Sequence, residues 1–215
     1  IDFTTVIIFF EFVVDLPGDG TTYYYDDIEV MLPAMDLVEL PVDFESTTAD
    51  YALVGFEGAD SVVEPNPDMS GENTSATVVR TTKTVGAQFF AGTAMGLDTP
   101  IDFSVSEMIS IKTWSPKADI PVRLKLEAVG GAFVELDAMT TLENQWETLT
   151  WDFTGLTAGI DFTTVIVFFE FVVDLPGDGS TYYYDDIEVE TDLGIEDYEL
   201  QSIVSYPNPT KSVWN

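Results

Sequence analysis

The chain has 215 residues, enough for one domain of ordinary size with flanking segments or for two small domains. Its formal net charge of −32, from 39 acidic and 7 basic residues, excludes electrostatic binding to nucleic acid and to anionic membrane surfaces. Cysteine and histidine are absent, which excludes disulfides, thiolate chemistry and a serine–histidine triad, whereas 15 Phe, 9 Tyr and 4 Trp can build a substantial core.

A long internal repeat sets the organisation of the chain. Residues 1–30 and 160–189 differ only at Ile8 against Val167 and at Thr21 against Ser180, with an offset of 159 residues. An offset of this size is typical of tandem independent domains and too long for a solenoid. We therefore expect the chain to begin inside one module of a tandem-repeat protein and to contain one complete module.

The repeat predicts five segments. In chain order they are the C-terminal strands of a preceding module (1–30), a connector (31–40), a complete module (41–189), an acidic linker (190–200) and a separate tail (201–215). Neighbouring repeat modules of the same protein are therefore expected partners. No apolar run of about 18 residues occurs, so we expect no transmembrane helix and no membrane insertion.

Period-two alternation of apolar residues predicts strands along the complete module. The alternating runs and their inward residues are 108–114 (Ile109, Ile111), 120–127 (Ile120, Val122, Leu124, Leu126) and 146–153 (Leu149, Trp151, Phe153). The run 165–173 is apolar on both faces, as in a central strand. Asp174–Gly179 predicts a hairpin turn in which Gly177 and Gly179 take positive φ. About eight to ten strands at this spacing predict an all-β fold, an antiparallel β-sandwich of the jelly-roll type.

Several motifs of the complete module also occur in a characteristic order. They are Val42–Glu45, Asn66–Ser75, Lys83–Gly92, Trp114–Lys117, Leu124–Glu127, Asn144–Leu149 and Tyr182–Ile187. In this order they resemble the jelly-roll, galactose-binding-like modules appended to secreted polysaccharide-degrading enzymes. The resemblance covers about residues 41–189 and implies non-catalytic polysaccharide binding, although such sandwiches also serve as spacers.

The tail contains a second recognisable motif, Tyr206-Pro-Asn-Pro209, within Ile203–Asn215. This segment resembles the opening of a type IX secretion C-terminal sorting domain. The resemblance implies contact with the type IX secretion machinery and a secreted, extracellular or cell-surface location.

Acidic residues lie in the first and last predicted strands. If Ile187 faces the core, alternation turns Asp185 inward as well, and a buried carboxylate needs a partner. In related jelly rolls these strands lie side by side and hold a structural calcium ion. The resemblance implies Glu45 and Asp185 as its ligands, with Asp186 and Asn73 as weaker ones. The alternative is a solvated acidic edge that prevents edge-to-edge pairing.

The middle strands carry an aromatic and polar set that could contact a glycan. If strands pair in sequential order, the set emerges on one face, where aromatic rings stack on sugars beside hydrogen-bonding side chains. The candidate ligand-binding residues are Trp114, Lys112, Arg123, Lys125, Glu127, Arg80 and Gln88. The alternative is a solvated face of weak Lys–Glu pairs. Trp146 points outward by parity, or packs at the sheet edge.

No catalytic residues are predicted, because carboxylate pairs among 39 acids are weak evidence for glycosidase chemistry. The predicted function is a non-catalytic polysaccharide-binding module, which could serve as an accessory to a larger glycoside hydrolase or lyase. The alternative is a structural repeat, a stalk or filament spacer of a calcium-stiffened surface adhesin secreted by the type IX system. Near-identical repeats favour this alternative. A third reading is a secretion-system cargo whose only clear signal is the tail.

Overall fold

The computed structural model describes residues 7–9, 18–26 and 35–190. Contacts divide the chain into two units, Ile1–Ala34 and Met35–Asn215. The described residues of the first unit contain no strand or helix, and every strand described below belongs to the second unit.

The predicted tail, 201–215, and all but the first residue of the predicted linker, 190–200, lie outside the described residues. The type IX motif therefore stays a prediction from sequence. Where the chain is described, it has no helix with the length and apolar character needed to cross a membrane.

Ten antiparallel strands form two five-stranded sheets. The strands are β1 Val54–Phe56, β2 Ala59–Pro65, β3 Thr77–Lys83, β4 Gly92–Gly96, β5 Met108–Ser115, β6 Pro121–Ala128, β7 Phe133–Met139, β8 Gln145–Asp152, β9 Phe162–Phe169 and β10 Thr181–Val189. The strand order is β1-β4-β9-β6-β7 in sheet A and β2-β3-β10-β5-β8 in sheet B. This arrangement confirms the predicted antiparallel β-sandwich of the jelly-roll class.

The core lies between the two sheets and is built from the alternating residues that the sequence placed inward. All nine of the residues predicted to face inward are buried: Ile109, Ile111, Ile120, Val122, Leu124, Leu126, Leu149, Trp151 and Phe153. Burial of such side chains is the main favourable contribution to folding of a domain of this kind. Local alternation therefore predicted the core face of these three strands correctly.

The predicted apolar strand 165–173 is central, as expected, but the observed strand β9 ends at Phe169. It ends there because Glu170 adopts a positive φ of 49°, which is incompatible with continued extended backbone. Strand β9 lies between β4 and β6, and β10 lies between β3 and β5. The last two strands of the module are thus the middle strands of both sheets.

The predicted first strand, Val42–Glu45, is wrong in extent. Only Val42 pairs with β10, in a single bridge to Ile187, because Phe44 adopts a φ of 55° and the chain turns there. Residues before Pro41 nevertheless already pack against the core of the sandwich. Val38, in the predicted connector, is buried in the core and exchanges two 2.8 Å hydrogen bonds with Asp98.

The turn between β9 and β10 packs backbone against backbone. Gly177 donates to the Ala87 carbonyl at 2.9 Å and accepts from Gly86 at 2.8 Å. A Cβ on Gly177 would lie 2.3 Å from the Thr84 carbonyl oxygen. Gly179 has the predicted positive φ, of 91°, but Gly177 does not, so the prediction for Gly177 is wrong and close approach is what requires glycine there.

Gly177→Ala should therefore lower the free energy of unfolding by about 1–3 kcal/mol, the usual cost of forcing extra atoms into a packed site. Gly96→Ala is the matched control. Gly96 has φ outside the left-handed region and open space around its missing Cβ, so its change should stay within about 0.5 kcal/mol. Denaturant unfolding of both variants measures the difference, and equal stabilities would contradict the close-approach explanation.

Candidate ligand-binding faces and the acidic cluster

The candidate ligand-binding residues lie on opposite faces of the sandwich. Lys112 and Trp114 are on β5 in sheet B, whereas Arg123, Lys125 and Glu127 are on β6 in sheet A. The prediction that they emerge on one face is wrong, because the β5–β6 connection crosses from one sheet to the other. Alternation within each strand was correct, but it contains no information about the neighbour in the sheet.

The outer face of sheet A contains a strip of small residues. Met95 pairs with Val165 in the core, so alternation places the neighbouring pairs, Ala94 with Ile166 and Gly96 with Thr164, on the outer face. Strand β4 thus presents only glycine and alanine between larger residues on β1 and β9. We call this strip the trough. Its floor is Gly92, Ala94 and Gly96, and its walls are Val54 and Phe56 on β1 and Thr164, Ile166 and Phe168 on β9.

An aromatic cluster closes one end of the trough. Its members contact one another edge to face, with ring centroids 5.0–5.8 Å apart, and are Phe56, Phe89, Phe90, Phe168 and Phe171. Phe168 lies directly over Gly92, since a Cβ there would be 2.6 Å from its ring. Sequence reasoning missed this cluster, although the exposed candidate Gln88 is adjacent to Phe89. The signal available was that β9 is apolar on both faces.

Arg123 is fixed beside this cluster by ions and by an aromatic ring. Its Nε and Nη2 donate to the two carboxylate oxygens of Asp137 at 2.7 and 2.8 Å, and Nη1 donates to Glu135 at 2.7 Å. The guanidinium carbon lies 3.9 Å from the centroid of Phe171. The hydrogen bond to Asp137 raises the pKa of Arg123, despite partial burial. The side chain is therefore a rigid, permanently charged donor.

Lys125 is held in a similar way one step along β6. Its ammonium nitrogen lies 2.7 Å from Glu127 and 4.3 Å from the centroid of the Phe133 ring. Lys125 therefore pairs with Glu127 along its own strand rather than across strands, and the pair stands beside the trough wall because Lys125 is opposite Ile166 on β9.

The outer face of sheet B has a different character. Trp114 contacts Tyr183 edge to face at 5.5 Å, and its indole nitrogen is buried with no hydrogen-bond partner in the part of the chain that is described. Trp146 is 4% exposed and donates to the Asp68 carbonyl at 2.7 Å. A covering loop, residues 66–76, lies over it, which is why a tryptophan outward by parity is buried.

The basic residues of the sandwich do not form one patch. Arg80 pairs with Glu64 and Asp60, and Lys112 pairs with Asp186. Lys117 pairs with Glu170 and Asp178, and its hydrogen bond lowers the pKa of Asp178. Lys83 is buried and donates to the carbonyls of Phe89, Phe169 and Glu170 at 3.0, 3.2 and 2.9 Å.

Burial lowers the pKa of Lys83, an effect that the charge of Glu170 opposes. With Arg123 and Lys125, all six basic side chains between positions 80 and 125 therefore have acidic or carbonyl partners.

Asp185 is fully buried, as predicted, but it does not face the core. Its pairing with Lys112 places it on the outer face of sheet B, and a β-bulge before Glu188 reverses the alternation so that Ile187 faces inward. Asn73 of the covering loop donates to its carboxylate at 2.9 Å, and Asp186 donates its backbone N–H at 2.9 Å. Desolvation outweighs these bonds and raises the pKa of Asp185 to about 6.

The other predicted calcium ligands surround this carboxylate only in part. Exposed Glu45 accepts from the Thr77 N–H at 2.8 Å, so it lies against the strand that follows the covering loop. Asn73 turns its amide nitrogen toward Asp185, and Asp186 is paired with Lys112. Within the described ranges, no group of three or more acidic side chains is close enough together to hold a metal ion.

Comparison with known proteins shows the fold and no family. No protein-family model matches the sequence, and no curated protein matches it. An exo-β-agarase structure shares 11% identity over 70% of this chain and 25% of its own, with a TM-score of 0.51.

Two carbohydrate-binding modules are also similar. The family 11 module of cellulosomal cellulase Lic26A-Cel5E from Clostridium thermocellum shares 16% identity over 74% of this chain and 96% of its own, with a TM-score of 0.48. A family 61 module in complex with β-1,4-galactotriose shares 13% identity over 73% of this chain and 99% of its own, with a TM-score of 0.45. At such identities the likeness concerns the fold alone.

The buried Asp185 predicts a specific pH dependence in the presence of a chelator. Its pKa is about 6 in the fold against 3.8 ordinarily, so the folded state binds the extra proton between these values. The free energy of unfolding should therefore fall as pH rises from about 4 to about 7. Asp185→Asn should remove up to about 3 kcal/mol of this fall.

Exposed Asp161→Asn controls for the loss of one negative charge. Thermal unfolding at several pH values measures all three proteins. The prediction would be contradicted if the free energies of unfolding of Asp185→Asn and of the unsubstituted chain differed by the same amount at every pH.

Proposed function

We propose that this chain is a non-catalytic polysaccharide-binding module and that the trough of sheet A is its binding surface. The sandwich fold alone does not distinguish a binding module from a spacer. The observation that carries the proposal is the trough itself, in which a floor of glycine and alanine runs between larger walls toward an aromatic cluster. Ligand sites are concave and largely apolar, with a few fixed polar groups.

The shape of the trough fits an extended sugar chain. An apolar floor accepts the C–H faces of pyranose rings, and Phe171 and Phe89 at its end are partly exposed for stacking. Thr164 on the wall supplies a hydroxyl beside Gly96. Because the floor belongs to a β-strand, it runs as an extended strip between β1 and β9, and Ala94 and Gly96 are its part that Phe168 does not cover.

The polar groups beside the trough are already ordered. Arg123 uses three of its five N–H groups on Asp137 and Glu135, which leaves two for sugar hydroxyls. Lys125 and Glu127 are likewise held by each other. Ordered side chains lose little conformational entropy when a ligand binds, which favours affinity.

Charge favours a neutral polysaccharide. The chain has a net charge of −32, and its sandwich lysines and arginines are already paired. An anionic polymer would meet long-range repulsion with no uncompensated basic patch to offset it. We therefore propose neutral hexose or pentose polymers as the ligand class.

The same pairing supports a non-catalytic role. A glycosidase needs two carboxyl groups that are free to reach the glycosidic bond. The carboxylates beside the trough, Glu127, Glu135 and Asp137, are each paired with Lys125 or Arg123.

A second candidate function is a structural repeat in a stalk or filament. The observation that favours it is the near-identity of 1–30 and 160–189, because recent duplication lengthens stalks. For either function we propose a secreted or cell-surface location and export through the type IX machinery, on the basis of Tyr206–Pro209.

The binding face can be tested by adding bulk as well as by removing contacts. Gly96→Leu should weaken binding, because the added side chain would fill the trough. The change removes no interaction of the folded protein, since the space around Gly96 is open. Arg123→Ala should weaken binding by about 1–3 kcal/mol, the usual range for a hot-spot side chain. Trp114→Ala, on the opposite face, should leave affinity unchanged.

The measurement is a glycan array followed by titration of the best neutral polysaccharide with each variant. Loss of affinity in Trp114→Ala alone would move the site to sheet B. An array without any signal for the folded protein would favour the structural repeat.

We also propose a structural calcium ion at Asp185 and Glu45, with Asn73 and Asp186 as weaker ligands. The supporting observation is that Asp185 is a buried carboxylate without a cationic partner among the described residues, and calcium binds such oxygens. The ion would neutralise Asp185 and join the covering loop to the first and last strands.

Addition of a chelator should therefore lower the melting temperature of the full chain, because a metal bound only by the folded state stabilises it. Asp185→Asn should abolish that shift, and Asp161→Asn should keep it. A melting temperature that changes with neither calcium nor chelator would refute the proposed ion.

A further inference from the structure

We infer that Lys83 is a positioning residue of the trough, which holds Phe89 and Phe171 as an ordered pair of stacking rings without itself touching a sugar. The inference rests on the proposed function, because it assigns to that same surface a residue that controls affinity from behind it. Lys83 is the last residue of β3, in sheet B, whereas the trough lies on sheet A. The ordering group therefore belongs to the opposite sheet.

The Lys83 ammonium group is enclosed by backbone carbonyls. The residue is 2% exposed, and its Nζ donates to the carbonyl oxygens of Phe89 at 3.0 Å, Phe169 at 3.2 Å and Glu170 at 2.9 Å. An ammonium group has three N–H donors and no acceptor, so these carbonyls match its full donor capacity. Burial of a charged group costs free energy unless it is compensated in this way.

The three carbonyls belong to the two segments that bear the rings. Phe89 is in the connection between β3 and β4, and Phe171 follows Glu170 directly after the end of β9. Glu170 has a φ of 49°, and its carbonyl is one of those that Lys83 binds. A single nitrogen atom thus joins the backbone of both ring-bearing segments.

The rings themselves meet in front of this nitrogen. Phe89 and Phe171 are partly exposed and contact each other edge to face, with centroids 5.3 Å apart. Phe171 also contacts Phe168 at 5.4 Å and lies under the Arg123 guanidinium, whose carbon is 3.9 Å from the ring centroid. These contacts orient the rings, and Lys83 holds the two segments from which the rings project.

Glu170 supplies the charge that balances Lys83. Its carboxylate is buried and accepts from Lys117 Nζ at 2.7 and 2.9 Å and from the Tyr182 hydroxyl at 3.1 Å. Burial lowers the pKa of Lys83, and the negative charge of Glu170 opposes this effect. The carboxylate therefore favours the ammonium form, which is the form with three donors.

The consequence for binding is one of order. Rings that are already fixed lose little conformational entropy when a sugar stacks on them, so their order contributes to affinity. The stem of Lys83 passes close to Gly177, since a Cβ built there would lie 3.1 Å from the lysine Cγ. Lys83→Met keeps an apolar stem at this place and removes all three donors, so it should loosen the two segments while the strands stay paired.

The first test compares affinities in the full chain. Oligosaccharides of glucose, galactose, mannose and xylose serve as probes, and the sugar that the unsubstituted chain binds best is titrated with each variant. Lys83→Met should lower affinity about tenfold, the cost of immobilising two more side chains on binding. Leu149→Ala is the control, because it removes core packing on β8, away from both segments, and should leave affinity unchanged.

A chemical rescue isolates the ammonium group. The chain has no cysteine, so Lys83→Cys introduces its only thiol. Alkylation of the unfolded variant with bromoethylamine creates a side chain of lysine-like length that ends in an ammonium, and bromopropane creates a neutral one of the same length. After refolding, the aminoethylated protein should regain most of the affinity, and the propylated protein should bind as weakly as Lys83→Met.

Hydrogen exchange without sugar gives the independent readout. Exchange in Lys83→Met should become faster at residues 86–91 and 170–175 and stay unchanged in β5. Equal affinities of the two alkylated proteins would overturn the inference, as would faster exchange throughout the sandwich or a neutral variant that does not fold. If the unsubstituted chain binds none of the sugars, the proposed function fails, and hydrogen exchange alone decides whether Lys83 orders the ring-bearing segments.

Discussion

The structure depends on the backbone pairing that β9 makes with β4 and β6 in sheet A and that β10 makes with β3 and β5 in sheet B. Each strand makes hydrogen bonds with two neighbours, so together they connect four of the remaining eight strands directly. The trough wall on β9 and the buried Asp185 on β10 are both fixed by this pairing. Removal of the pair would leave two separate edge pairs in each sheet, with no continuous core between them.

Local sequence pattern was sufficient for the fold class and for the inward face of the three alternating strands, since alternation depends only on neighbouring residues. It failed where the answer depends on distant ones. Arg123 and Trp114 were placed together because their strands are consecutive, although β5 and β6 belong to different sheets. Trp146 and Asp185 are outward by pairing and yet buried, because the covering loop lies over them.

The aromatic cluster could not be recognised from sequence for a related reason. Phe56, Phe89 and Phe171 belong to a strand and two loops that are far apart in the chain, and no periodic pattern connects them. Asp185 was predicted inward by counting from Ile187, and the intervening bulge makes that count wrong by one. A bulge of this kind is a backbone irregularity for which alternation gives no warning.

The few basic residues of the sandwich lie where the fold brings acidic or carbonyl groups together. Six cations in the sandwich each stabilise acidic or carbonyl groups that the fold brings together, as Lys83 does at the end of the core and Arg123 does on sheet A. The remaining carboxylates set the field around the protein. Surface chemistry of this sort suits an uncharged partner that is recognised at short range through rings and hydroxyl groups.

The central position of the last two strands also affects the order in which the molecule can be assembled. A chain that is synthesised or exported from its N-terminus presents β1 to β8 first, as strands without the neighbours that complete either sheet. Most pairings that close the core join segments distant in sequence, and such pairings form late. The core of the module therefore cannot close until β9 and β10, its last two strands in chain order, are available to join the separate edge strands.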